Sequence, residues 1–271
     1  FLVEVGWLFS REIRNLTRDT VAVASRYGLT FILSILIGLI FNGVGKTDSA
    51  DYSNFQSRFG ALNVVLMVAM FSTAVYALLS FPSERPLFLR EYSTNHYSVV
   101  SYFVSRLTME LIVTFVQVDI LVTVTYLLIG FQMPYLTLLA VVYCLAMSST
   151  AVGVYLGCRV EDPKTAVELL PIVFVPQLLF AGFFVSINLI PRYLRWLQWF
   201  CSLTYATRIS IVEEFSDCGA GQAEIICNGL LESTNAKEED LWWFWFMLIL
   251  LFVVFRLGAL YSLISKATKF L

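Results

Sequence analysis

Charge is what this sequence has least of. Asp, Glu, Lys and Arg make up 14% of its 271 residues, where an ordinary soluble domain carries about 25%. Hydrophobic residues reach 58% and aromatics 15%, and the mean hydropathy is +0.76. A soluble fold of this size could not keep so much apolar surface from water. Eighteen basic residues stand against 20 acidic ones, a net charge of −2, so there is no basic face for nucleic acid. Histidine is reduced to His96, read as a loop residue, and no metal site is expected. A phosphate-binding loop is missing as well. Gly43-Val44-Gly45-Lys46-Thr47 ends like one, but Ile40 stands where the first glycine belongs, and that glycine is needed for backbone amides to cradle phosphate. No catalytic residues and no cofactor are expected within the chain itself. It opens on Phe1 rather than Met and is read as part of a longer one.

What is present is a series of apolar runs. About 20 mostly apolar residues cross the hydrocarbon as a helix. Six such spans are expected, at about 27–45, 60–81, 98–130, 134–157, 166–188 and 241–265, with a large outer segment at 186–240 and a short tail at 266–271. Placing the N-terminus in the cytoplasm puts eleven Lys and Arg on that side and six on the other. The positive-inside rule therefore predicts cytoplasmic termini, in the plasma membrane or an organelle membrane. Residues 1–26 read as an amphipathic helix along the inner interface, with Trp7, Phe9 and Leu16 set among charged residues. The fold class is all-α: six spans with an interfacial helix at the N-terminus, a cytoplasmic coupling helix and a re-entrant outer helix.

Several residues stand out against this background. The inner loop from Pro82 to Tyr92 carries Glu84, Arg85, Arg90 and Glu91 together with Phe88 and Leu89. It suits either a short docking helix, with Pro86 in its first turn, or an ordinary solvated loop. Within the spans, Arg106 and Glu110 are four apart and can pair on one face, which Gln117 shares. Asp119 lies about half a turn away from Glu110, so the two acids form no dyad. Glu168 and Arg256 fall in the inner portions of the last two spans and could pair; such pairs are expected to hold the bundle together. Pro171 and Pro176 should kink or break the fifth span. The aromatic stretch from Pro191 to Tyr205 should dip into the outer leaflet as a short helix. Cys218 and Cys227 share the polar outer loop, where oxidising conditions allow a disulfide.

Together these residues resemble the transmembrane domain of the G subfamily of ATP-binding-cassette transporters, an ABC-2 type permease, over nearly the whole chain. Arg14-Asn-Leu-Thr-Arg18-Asp19 is similar to the family's connecting helix, and the run from Phe81 to Tyr92 to its first coupling loop. Glu110 falls where the third span carries a Glu. Phe180-Ala-Gly182-Phe183-Phe184-Val185, Ile190-Pro191, Trp196, Tyr205 and Glu213-Glu214-Phe215 resemble the end of span five and its re-entrant helix. Glu110 is followed by Leu-Ile where the family often has Leu-Pro. The resemblance implies a dimer, homomeric or heteromeric, with a hydrophobic small molecule entering a slit between spans two and five. Phe71 would clamp it, Val175 and Leu178 would line the slit, and Phe183 and Phe184 would form the plug. Glu84, Arg85, Phe88, Arg90 and Glu91 would contact a nucleotide-binding domain, which this chain lacks and which would hold ATP and Mg.

Three functions follow as expectations. The first is the permease domain of an ATP-driven exporter of lipid-like, sterol or amphipathic molecules, working by alternating access at a dimer interface in contact with membrane lipids. The second is a proton-coupled secondary carrier using Glu110 and Asp119. Such carriers often contain two inverted halves, and no second copy is visible here. The third is a non-transporting membrane scaffold.

Overall fold

The computed structural model describes residues 2–46, 52–93, 97–160, 163–185, 190–215, 225, 227, 229, 231 and 234–270, with residues 81–91 described in backbone alone. The chain opens with α1 (Leu2–Arg18) and α2 (Thr20–Ile40). The long α3 (Tyr52–Ser93), α4 (Val99–Ile129) and α5 (Tyr135–Arg159) follow. Further along the chain come α6 (Pro163–Phe180), α7 (Ser202–Glu214) and α8 (Leu241–Phe270).

The first helix ends sooner than the amphipathic pattern over 1–26 suggested. Asp19 interrupts it and starts the next one, its carboxylate accepting from the Ala22 N–H at 3.1 Å. Residues 20–26 therefore belong to α2, and Arg26 is carried inside a membrane-length helix. The separate α1 lies against α4 through polar contacts. Ser101 Oγ donates to Glu4 at 2.8 Å, and Arg106 meets Glu12 at 3.2 Å. On its other face α1 leaves Val3 and Trp7 exposed.

The coupling helix is likewise not a separate element. The backbone of α3 stays helical from Tyr52 to Ser93, through Pro82 and Pro86, so residues 82–93 extend the second span. Strong helix formers, Glu84, Arg85, Leu87, Leu89, Arg90 and Glu91, favour that continuation. At 1.5 Å per residue α3 is about 63 Å long, twice the hydrocarbon thickness. By contrast, α4 begins and ends where its caps put it. Ser98 accepts from the Ser101 N–H at 3.1 Å, and Gly130 adopts the left-handed conformation at φ 78°.

Among the described residues, five helices are long and apolar enough to cross a membrane: α2, α3, α4, α5 and α8. Five of the six expected spans correspond to such helices. Over the fifth expected span, 166–188, the structure has α6, whose apolar part, Thr165–Phe180, is shorter than the five membrane-length helices. It stays α-helical through Pro171 and Pro176 and stops at Phe180. The turn that follows carries Gly182 at φ 85°, against Thr234.

The bundle is organised around α5, with 78% of its apolar window buried against 22% for α2 and 33% for α8. Small residues make that possible. A Cβ on Gly153 would stand 2.7 Å from the Ala74 carbonyl oxygen, so α3 and α5 pack backbone to backbone. The glycines of the false phosphate loop have the same explanation. The Gly43 N–H donates to the Leu128 carbonyl at 3.0 Å. A Cβ on Gly45 would lie 2.0 Å from the Gly130 oxygen.

Gly153→Val should therefore destabilise the protein by about 1–3 kcal/mol, the usual cost of overpacking. Gly28→Ala meets nothing within 4 Å and should be neutral or slightly stabilising. Thermal unfolding of the two variants in detergent should shift in opposite directions, or for Gly28→Ala not at all.

Candidate functional site

The proposed slit residues lie on α3, α6 and the turn after α6, and they divide between two faces. The Phe71 ring stands 5.5 Å from that of Phe174, which is fully buried. Phe174 was not singled out in the sequence, yet it sits one helical turn before Leu178 and shares its face. Leu178 is half-buried in the same apolar cluster. Val175, one residue round the helix, faces outward at 45% exposure. With Ile172 and Leu179 it forms an exposed apolar stripe at helical spacing, which none of the described residues covers. Phe183 and Phe184 do come together, 4.8 Å apart and edge to face. Phe183 also meets Phe59 at 5.7 Å, tying the turn to α3, while Phe184 is left exposed.

The intramembrane charges exchange the partners expected of them. Arg256 of α8 meets Glu110 of α4 at 2.7 Å, both nearly buried, and its guanidinium donates to Thr150 of α5 at 3.2 Å. This replaces the Arg256–Glu168 pairing, for Glu168 is exposed on α6. It replaces Arg106–Glu110 as well, because Arg106 turns to Glu12 of α1. Intrahelical spacing says which residues share a face, and the neighbouring helix decides which of them is met. Asp119 accepts from the Tyr135 hydroxyl at 2.8 Å, apart from the Glu110 pair. Gln117 accepts from Arg26 Nε at 2.7 Å and donates to Thr30 at 3.1 Å, which joins α4 to α2.

A second buried ion pair closes the opposite end. Arg58 at the start of α3 meets Glu214 at the end of α7 at 2.6 Å. The Glu214 carboxylate also accepts from the Gln132 N–H at 3.0 Å and the Met133 N–H at 2.8 Å, in the turn between α4 and α5. Three segments, α3, the α4–α5 turn and the end of α7, thus meet at one carboxylate. In the sequence Arg58 is one of the six outer basic residues and Glu214 stands only in the Glu213-Glu214-Phe215 motif. The signal available was an acid at the end of an otherwise uncharged helix face, and it names no partner.

The side chains of Glu84, Arg85, Phe88, Arg90 and Glu91 lie outside the described residues. So does Cys218, and the Cys218–Cys227 pairing with it; Cys227 itself is buried in the core. Cys144, Cys158 and Cys201 are free thiols.

Residues 3–215 of this bundle match the family model of ABC-2 type transporters. The chain belongs to the ABC-2 type transporter family. It is similar to the "Protein white" of Ceratitis capitata, at 28% identity over 96% of this chain and 39% of that protein. The broad substrate specificity ATP-binding cassette transporter ABCG2 of Sus scrofa is 30% identical over 87% of this chain and 35% of that protein. ABC transporter G family member 1 of Dictyostelium discoideum is 20% identical over 94% and 34%. The chain thus spans less than two fifths of the length of these curated relatives. It is an integral, multi-pass membrane transporter domain of the G-subfamily type.

In this ABC-2 domain the Glu110–Arg256 pair should behave as a structural tie. Removing one partner leaves an uncompensated buried charge, so Arg256→Met should cost about 3–5 kcal/mol. Adding Glu110→Leu should recover most of that loss. A double-mutant cycle of unfolding in detergent measures the coupling, and additive effects would refute the tie.

Proposed function

We propose that this domain is the permease part of an ATP-driven exporter, moving lipid-like, sterol or amphipathic small molecules by alternating access between two facing copies. The observation that carries the reading is the exposed apolar face of α6 beside the Phe71–Phe174 pair, in a chain matched to the ABC-2 family over most of its length. A stripe of Ile172, Val175 and Leu179 ending at Phe184 has no partner among the described residues. A second transmembrane domain, identical or related, would cover it and leave between the copies a slit suited to apolar substrates.

In this reading Val175 lines the slit with Leu179 in place of the expected Leu178, which packs with Phe174 behind Phe71 as the clamp, and Phe183 with Phe184 forms the plug. The termini lie in the cytoplasm, α6 completes a six-span count, and α7 with the aromatic segment before it is re-entrant. Trp196, Trp199 and Phe200 are exposed on that segment, as residues at the headgroup level would be. ATP and Mg act on a nucleotide-binding domain outside these residues. The extension of α3 beyond the membrane, with Glu84, Arg85, Phe88, Arg90 and Glu91, receives its motion. The proton-coupled alternative loses ground because Glu110 is tied to Arg256 and Asp119 to Tyr135.

Single cysteines at Val175 and Phe184, in protein lacking Cys144, Cys158 and Cys201, should crosslink between copies in the membrane. Arg85→Glu with Arg90→Glu should leave insertion and ATP hydrolysis by the assembled transporter intact while abolishing transport. Monomers at both cysteine positions would refute the facing copies, and normal transport would refute the coupling role.

A further inference from the structure

Away from the slit, a cavity of about 410 Å³ opens between α1, the start of α2, the end of the apolar part of α3, and α4. Its walls combine charge with apolar surface. Leu16, Val23, Leu79, Met109 and Val113 line it, together with Glu12, Asp19, Arg26, Arg106 and Glu110. The three carboxylates are already engaged. Glu12 is paired with Arg106, Glu110 with Arg256, and Asp19 with the Ala22 N–H.

Arg26 is the exception. Its Nε donates to Gln117 at 2.7 Å and one terminal nitrogen to Thr114 at 3.3 Å, while its guanidinium carbon stands 5.1 Å from the centre of the Tyr76 ring. All three contacts are with neutral groups. The guanidinium is held in place, lines the cavity, and meets no carboxylate within ion-pair distance. An arginine has five N–H donors, and two are committed here. Three donors and a full positive charge remain for whatever enters.

We propose that this cavity binds the phosphate of a membrane phospholipid, with Arg26 as its ligand. A phosphate oxygen accepts the remaining guanidinium hydrogens and supplies the missing counter-charge. The location favours a lipid over a soluble anion. Leu16 and Leu79 line the cavity and are themselves exposed, giving an apolar rim for an acyl chain. The site lies apart from the α6 face, so it requires the membrane but neither dimerisation nor transport. A bound lipid would bridge α1, α2 and α3.

Delipidated protein in detergent tests this by native mass spectrometry, titrated with phosphatidylcholine, with diacylglycerol of the same chains, or with inorganic phosphate. One phosphatidylcholine should bind per chain. Arg26→Gln should weaken it by about tenfold or more, as expected for a lost charge-assisted hydrogen bond. Ala22→Trp, which fills the cavity and leaves Arg26 in place, should abolish binding. Diacylglycerol should bind more weakly and be indifferent to Arg26→Gln. Wild-type affinity in either variant, or equal binding of diacylglycerol, would overturn the site, and displacement of the lipid by inorganic phosphate would overturn the lipid as its ligand. Unfolding curves without added lipid report whether each variant is folded; if Arg26→Gln is not, Ala22→Trp decides.

Discussion

A charge inside an apolar helix bundle has to find its opposite, and the position of α8 depends on that requirement. Arg256 is flanked by Phe, Val and Leu and cannot reach water without pulling its helix out of the bundle. Glu110 at 2.7 Å and Thr150 at 3.2 Å draw α8 against α4 and α5. The pair adds little net stability over a well-packed apolar pair. What it does is exclude other registers, because sliding α8 by one turn would bury both charges alone. The same logic operates at the other end, where Glu214 gathers a guanidinium and two backbone N–H groups from segments remote in the chain.

Between these two fixed points the packing is set by small side chains. α5 is the most buried long helix because Gly153 lets it lie against the backbone of α3, and the small and hydroxyl residues Ala146, Ser149 and Thr150 lie fully buried along it. In lipid there is no hydrophobic gain from pressing two apolar helices together, so close contact and buried hydrogen bonds hold them. This leaves α2 and the outward face of α6 as apolar surfaces turned away from the bundle. On α2 that surface suits lipid. On α6 it runs beside the Phe71–Phe174 pair and ends at the paired rings of Phe183 and Phe184, a concentration of aromatics better suited to a partner and a substrate.

The two parts of the molecule that would work together in a transporter are linked by α3. It carries Arg58 of the ion pair with Glu214, Phe71 of the proposed slit, Ala74 of the α5 contact and the helical extension that bears the proposed coupling residues. The Arg26 cavity lies against the same helix at Tyr76 and Leu79, so its occupancy would bear on how that helix is seated.

The amino-acid sequence by itself determined the class. Scarce charge and long apolar runs leave only a helical membrane bundle, because backbone groups in hydrocarbon must be satisfied within the helix. It also announced local stops wherever the stopping group is adjacent in sequence, as with Ser98 and Gly130 around α4. Asp19 was equally local, but an amphipathic pattern running across it hid the break. The tertiary structure alone decided which charges meet. Arg58 and Glu214 are 156 residues apart, and spacing within one helix can say that Arg106 and Glu110 share a face but not that Glu12 and Arg256 stand nearer. It also decided which side of α6 is covered, since Phe174 and Val175 are neighbours in the chain and look alike to any hydropathy pattern. Only the position of α3 makes one of them core and leaves the other exposed.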